Sequence, residues 1–462
     1  YKRQGGGGAN NNGGGGAGGV LQGITQVTAG TSYTITVGTG GTGGAAGAGT
    51  GYNGTAGVNS SISGTGVSVT AIGGGYGAGY PNTGGNGGSG GGSTNSTQSV
   101  GTTGQGYAGG VAATSGWGFG GGGGGFGMVG YQGLTTGGGN GGDGFTTYIA
   151  NPATYSWSNK FNGSSQYVYA PANAAFAFGT NSFTVEAWVY LTVSQENFVF
   201  DTRTSVSTAG IGFRIGPDNK LYYSDNANNA LTTTTVPLNT WTHVAWVRNG
   251  TTITGYINGV SGGSATDNNN MTQNDGYIGS ISFSSVYFAG YISNLRVVNG
   301  TAVYTSNFTP STTPLTAITN TALLTCQAGS FSDASSNNFT ITTVGSPYIA
   351  SQNPFGASYA GGGANGGDSR TSPGLAGYGG MGGGGNGGRA ANATSGLTNT
   401  GSGGGGADGA AAYTGGNGGS GVVILAYPST YPAATSTTGS PTVTTTGGYR
   451  VYTFTGGGTI TF

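Results

Sequence analysis

SFTVEAWVYL, residues 182–191, alternates along its length: Phe183, Val185, Ala187 and Val189 fall on one face of an extended chain, and Thr184, Glu186, Trp188 and Tyr190 on the other. Successive side chains of a strand point to opposite sides, so this period of two commits one face to a core. Similar short runs rich in Val, Ile, Tyr, Phe, Trp and Thr follow as GFRIG, KLYYS, WTHVAWVRNG, TTITGYING, YISNLRVVNG, ALLTCQ and NFTITTV. Pro217-Asp218-Asn219, Asn249-Gly250 and Asn258-Gly259 stand where hairpins need turns. No segment keeps a helical period. About 200 residues of such strands predict an antiparallel two-sheet sandwich whose inner faces supply the core.

Outward from this region the composition changes sharply. The chain has 108 glycines in 462 residues, but only 16 of them lie in residues 151–355, and the two flanks hold the other 92. Eight of the 11 acidic and six of the 11 basic side chains also lie in the middle region. Charged residues are 5% of the chain and balance to zero, so no electrostatic footprint for nucleic acid or an anionic membrane exists. No run of about 18 apolar residues is present to insert into a bilayer. A single cysteine, Cys326, excludes an internal disulfide framework and a thiolate zinc cluster. Tyr1 stands where a start Met would be, so a fragment or a processed product is expected.

The order FTVEAWVYL, FVFD, GFRIGPDNKLYY, LNTWTHVAWVRNGTTITGYINGV and GYIGSISFSSVYFAGYISNLRVVNG resembles the laminin G-like, concanavalin A-like jelly-roll family over residues 155–355. Trp241 and His243 of WTHVAWVRNG match that family's W-x-H-V-A strand, and GYISNLRVVNG matches its closing strand. The extension YTSNFTPSTTPLTAITNTALLTCQ is similar to a version of the domain common in phage tail-fibre and other virion proteins. In the flanks, GGGGAGGVLQGITQVTAGTSYTITVGTGGTGG holds two strand-like runs joined through Thr28-Ala29-Gly30-Thr31, and GGNGGSGVVILAYP ends a glycine run in an apolar strand. Together they resemble the opening and closing of a glycine-rich phage tail-protein domain. The resemblance implies one glycine-rich domain, residues 1–150 and 356–428, with the jelly roll inserted. The runs TVTTT, YRVYTFT and TITF, separated by glycines, read as a small C-terminal β-meander or added strands at 429–462.

Composition alone admits disorder for the flanks. The lack of a three-residue period and the 13 prolines exclude collagen. The remaining folded option is a layer of polyglycine-II helices, with three residues per turn and every amide free to pair with a neighbouring helix. Glycine is required wherever two backbones touch. Strands before and after the glycine runs favour this folded form.

Candidate sites are few. His243 has no Ser, Cys or Asp motif around it and reads as a strand histidine, and Cys326 as a buried small residue. Hydrolysis of a glycoside needs two carboxylates at a set separation, and Glu186 stands alone on its strand with Glu196 beyond a turn, so no enzyme is expected. Calcium is the one cofactor left open, with Asp267, Asn270 and Asp275 as candidate ligands beside a reading with no cofactor. Asp201, Arg203, Tyr222, Tyr223, Tyr287 and Phe288 are the candidate saccharide contacts, and Trp117, Phe119, Phe126 and Tyr131 the candidate tip aromatics of the glycine layer. The function expected from the resemblance is a non-enzymatic phage tail fibre or tip adhesin on the virion surface or outside a cell. Its expected partners are a host-surface glycan or protein receptor, other virion or filament subunits, and further copies in a homo-oligomer such as a trimer. A structural filament, a capsid decoration and a bacterial surface adhesin are the alternatives.

Overall fold

The structure is a computed structural model that describes residues 5–9, 13–46, 52–113, 120–147, 156–206, 210–224, 228–272, 274–369, 374–408 and 413–462. Among these residues there is no α-helix, and the only helical element is one 3-10 turn, Ala174–Phe176, whose Ala175 amide donates to the Asn173 side chain. Two compact units are present: Thr154–Gly356, and Tyr1–Ala153 together with Ala357–Phe462.

The first unit is two antiparallel sheets. One runs in the order Val260–Thr266, Thr252–Ile257, Thr242–Asn249, Phe183–Leu191, Ala289–Asn299, Ser158–Asn162, Tyr348–Ala350, with Thr321–Thr325 also paired to Ala289–Asn299. The other runs Asn228–Ala230, Leu221–Ser224, Gly212–Ile215, Asn197–Asp201, Gly276–Ile278, Tyr167–Ala170, Thr342–Val344. The alternation of SFTVEAWVYL orients its strand: Phe183, Val185, Ala187 and Val189 are fully buried in the core between the sheets. Trp246 from the first sheet stacks on Phe213 from the second at 5.1 Å. Each such large apolar side chain removed from water contributes roughly 1.5 to 3 kcal/mol.

The other face of SFTVEAWVYL is covered too, by the chain that follows Asn299. Thr184 Oγ1 donates to the Thr301 carbonyl and accepts from the Val303 amide. Tyr304 and Phe308, stacked at 3.5 Å, pack beside Tyr256, Ala245 and Val247. The eight-stranded sheet is therefore buried on both sides there, while the seven-stranded sheet keeps an open face.

In the second unit a five-stranded sheet, Ser436–Thr437, Gly458–Thr461, Ser32–Thr36, Ser60–Gly64, Val67–Ala71, shares a core with a three-stranded one, Val423–Pro428, Tyr449–Phe454, Thr442–Thr446. Tyr33, Ile35, Ile62, Val423, Tyr452, Phe454 and Ile460 meet there. Of the two readings of residues 429–462, the strands are added ones: Gly458–Thr461 pairs with Ser32–Thr36 and Tyr449–Phe454 with Val423–Pro428. One expectation is corrected: the two runs around Thr28–Thr31 do not both form strands. Both edges of Ser32–Thr36 are taken, by Ser60–Gly64 and Gly458–Thr461, and the run before Thr28 forms no strand.

The glycine runs carry no strand over most of their length, yet their backbones are bonded with a period of three. Gly5 and Gly8 donate to Gly419 and Gly416, while Gly6 and Gly7 between them donate to Gly16 and Thr55. Gly13 and Gly16 pair with Ala78 and Gly75, Gly15 and Gly18 with Gly404 and Gly401, and Gly404 and Ala407 with Gly6 and Ala9. Successive residues thus face different neighbours, and every third returns to the same one. A Cβ on Gly363 would lie 2.0 Å from the Gly404 carbonyl oxygen, and one on Gly403 1.9 Å from that of Gly15. Backbones this close exclude any side chain.

Candidate functional site

The open face of the seven-stranded sheet is built by alternation. In Tyr167–Ala170, Val168 and Ala170 enter the core and Tyr167 and Tyr169 face outward, half-buried. In Gly276–Ile278, Ile278 enters the core and Tyr277 faces outward. Cross-strand register then aligns Tyr169, Tyr277, Asp201, Gly212 and Ser224 in one row across five strands. Tyr169 and Tyr277 stack with ring centroids 5.4 Å apart, Tyr277 and Tyr167 are 5.8 Å apart, and Tyr167 and Tyr287 stack at 6.4 Å. Four tyrosine rings form one continuous surface.

Neighbouring groups hold these rings and neutralise the charge around them. Gln195 Nε2 donates to the Tyr287 carbonyl at 2.8 Å. Asp275 accepts from the Ala172 amide at 2.7 Å and from the Tyr277 hydroxyl at 3.5 Å. Burial, and after it that carboxylate, raises the Tyr277 hydroxyl above the ordinary tyrosine range. Asp201 takes two bonds from the Arg203 guanidinium, at 2.9 and 2.6 Å, and the Arg203 amide at 2.7 Å. Burial pushes the Asp201 carboxyl up to about 6 against the pull of Arg203. Gly212 leaves room for this pair, since a Cβ there would stand 2.6 Å from both the guanidinium and Asp201 Oδ2. The hairpin formed by Ser280–Ile281 and Ser284–Tyr287 closes over it: Ser282 Oγ donates to the Arg203 carbonyl, and the Phe283 ring lies 5.4 Å from the guanidinium. Farther along the face, Arg214 pairs with Glu196, binds Ser224 Oγ and lies 4.3 Å over the Tyr222 ring. Tyr222 donates to Asp218, which also pairs with Lys220.

The structure thus brings Asp201, Arg203, Tyr222 and Tyr287 onto one sheet face and separates two residues expected beside them. Tyr223 and Phe288 are fully buried in the core, Tyr223 because strand alternation turns it inward and Phe288 at the junction between two strands, packed against Phe161, and neither ring can meet a ligand. Asp201 and Arg203 are buried under the hairpin and act on the face from below. Tyr167, Tyr169 and Tyr277 went unnoticed in the sequence, although the i, i+2 pair in QYVYA carries the signal of a strand with an aromatic outer face.

The other candidates disperse. Asp267 is buried in an ion pair with Arg248 at 3.3 Å, Asn270 is exposed, and Asp275 belongs to the tyrosine face. Among the described residues no three His, Cys, Asp or Glu side chains gather as a metal site. The Phe126 ring is half-buried: it meets Phe145 edge-on at 5.3 Å and covers Ala17, Val20 and Ala360. Tyr131 is exposed, and Trp117 and Phe119 lie outside the described residues.

Glu186, on the covered face of the eight-stranded sheet, is the centre of a buried network. His243 Nε2 stands 3.0 Å from its Oε2, Tyr304 donates to Oε2 at 2.8 Å, and Arg296 makes two bonds to Oε1 at 2.9 and 2.6 Å. Burial raises its pKa, but His243, Arg296 and Tyr304 outweigh that and hold it below the ordinary 4.5. Glu196 is on the other sheet, paired with Arg214, so these two carboxylates do not form a pair. Beside the network an open hollow of about 380 Å³ is lined by Trp188, Asn258, Pro310, Thr312, Pro354 and Phe355.

Residues 162–314 match the family model of the concanavalin A-like lectin/glucanases superfamily, and residues 4–182 match that of a glycine-rich domain. No curated protein matches the chain. Among solved structures, a candidate carbohydrate-binding protein from Bacteroides ovatus is 18% identical over 41% of this chain and 62% of its own, with a TM-score of 0.28. The chain therefore spans less than two thirds of that protein. A pentraxin from Limulus polyphemus is 17% identical over 33% and 79%, with a TM-score of 0.27. Domain 4 of AbnA, an extracellular arabinanase from Geobacillus stearothermophilus solved with arabinotriose, is 20% identical over 31% and 70%, also with a TM-score of 0.27.

Proposed function

We propose that the Thr154–Gly356 unit is a non-enzymatic saccharide-binding module and that an uncharged oligosaccharide lies on the tyrosine face. The observation that carries this reading is the continuous surface of Tyr169, Tyr277, Tyr167 and Tyr287 on an open sheet. Aromatic side chains offer large, rigid contact area with few rotors to freeze, and tyrosine adds a hydroxyl for bonding. Most charges on this face are paired within the protein, as Asp201 with Arg203, Glu196 with Arg214 and Asp218 with Lys220, and the remaining carboxylate, Asp275, is bonded to the Ala172 amide and the Tyr277 hydroxyl, which favours a neutral ligand. The match of residues 162–314 to a superfamily described by lectins and glucanases supports the same class of ligand. The reading draws no calcium from Asp267, whose partner is Arg248.

For the whole chain, the reading is an adhesin displayed on a virion appendage such as a phage tail fibre, with a host-surface glycan or protein as receptor. Its support is the resemblance of the jelly roll and glycine-rich flanks to tail proteins. We read the glycine-rich unit as polyglycine-II layers that mount the binding module, on the strength of the period-three bonding. The same bonding favours a second reading, a structural subunit of a filament, capsid decoration or bacterial surface. A glycan array probed with the intact chain tests the first. Retention of uncharged oligosaccharides by the folded chain, absent after heat denaturation, is the expected result, and an array with no bound saccharide would leave the structural reading in its place.

A further inference from the structure

Residues 23–27 precede Ser32–Thr36 as an exposed arm without secondary structure that makes no hydrogen bond among the described residues. Ile24 is fully exposed, and Val27 is 40% exposed. Nothing lies within 4 Å of the place a Gly23 Cβ would occupy. The arm, GITQV, is uncharged and rich in strand formers, yet both edges of the strand that follows it are taken. A segment of this kind keeps its backbone donors and acceptors available.

The same unit carries a matching acceptor. Thr442–Thr446 is the edge of the three-stranded sheet, paired on one side only, to Tyr449–Phe454. Four of its five residues are exposed, Thr442, Val443, Thr444 and Thr445, so neither face of this strand is covered by the chain. It has no charge, no internal proline and no bulge, the usual devices that keep an edge from pairing with another chain. Arm and edge are each five residues long and uncharged. A foreign partner would need only one of them.

We infer that residues 23–27 of one copy add as a strand to the Thr442–Thr446 edge of a second copy of this chain. Backbone hydrogen bonds across the new edge supply affinity, and Ile24 and Val27 gain cover. Donor and acceptor are different surfaces, so the contact is head-to-tail. Copies joined this way form a ring when the rotation closes and a filament when it does not. The inference is independent of the saccharide reading.

The test uses the full chain. Light scattering across a concentration series is expected to give an oligomer for the parent chain and a monomer for Thr25→Pro, which removes an amide in the arm, and for Val443→Lys, which charges the edge strand. Both sites are exposed, and unchanged thermal melting of each variant confirms that it folds. An Ile24→Cys chain carrying a benzophenone maleimide, mixed with isotope-labelled partner chain, is expected to crosslink to residues 442–446 of the other copy, with buried Cys326 unlabelled. A parent chain monomeric at every concentration would overturn the inference. So would variants that assemble like the parent, crosslinks confined to one copy or to other residues, or an arm that captures only a different protein.

Discussion

Glu186 shows how much one buried side chain can hold. Its two oxygens accept from Arg296 and Tyr304 and face His243, so replacing it with Gln leaves a buried guanidinium without its counter-charge. Removing one member of such a set costs about 3–5 kcal/mol, and a urea-unfolding comparison of Glu186→Gln with the parent is expected to show a loss of that order. The pH dependence has a sign that can be worked out. Because the folded Glu186 titrates below its ordinary 4.5, its contribution is complete above that pH and is lost as the pH falls through the lower folded value. Asp201 acts oppositely: with a folded value of about 6 against the ordinary 3.8, its contribution is complete below 3.8 and is lost as the pH rises through 6. Unfolding midpoints between pH 3 and 8 are expected to lose the acid-side slope in Glu186→Gln and the slope between 4 and 6 in Asp201→Asn.

At the scale of elements, strand identity and facing were legible wherever a local period of two operated. SFTVEAWVYL divides between core and outer face as its alternation predicts. KLYYS carried the same information, since neighbours in a strand point apart and Tyr222 and Tyr223 could not both face a ligand. Pairings made over long distances were not legible. Tyr169 meets Tyr277 through register more than a hundred residues apart, and the C-terminal strand takes the edge that a hairpin around Thr28–Thr31 would have used. In the glycine runs the period of three resides in bonding partners and not in residue identity, which is why the sequence shows no repeat. Contact there is steric, and it predicts that position decides the effect of an added methyl. Gly363→Ala sets a Cβ 2.0 Å from the Gly404 carbonyl oxygen, whereas Gly456→Ala meets nothing within 4 Å. Overpacking costs typically 1–3 kcal/mol, so thermal melting is expected to fall by several degrees for the first and to be unchanged for the second.

At the scale of the whole molecule, one chain carries a core-packed sandwich and a unit held largely by backbone contact between glycine segments. The sandwich covers part of its eight-stranded sheet with residues 300–308 and presents two half-buried aromatic sites on opposite sheets, the tyrosine row on the seven-stranded sheet and Trp188 beside the Glu186 network. Calorimetric titration of the intact chain with an oligosaccharide it retains separates them most directly. Truncating an aromatic hot spot costs about 2 kcal/mol or more, close to thirtyfold in affinity. The account predicts that Tyr167→Ala and Tyr277→Ala each weaken binding by about that factor while Trp188→Ala leaves it unchanged. Unchanged affinity in both tyrosine variants, or a loss confined to Trp188→Ala, would contradict it.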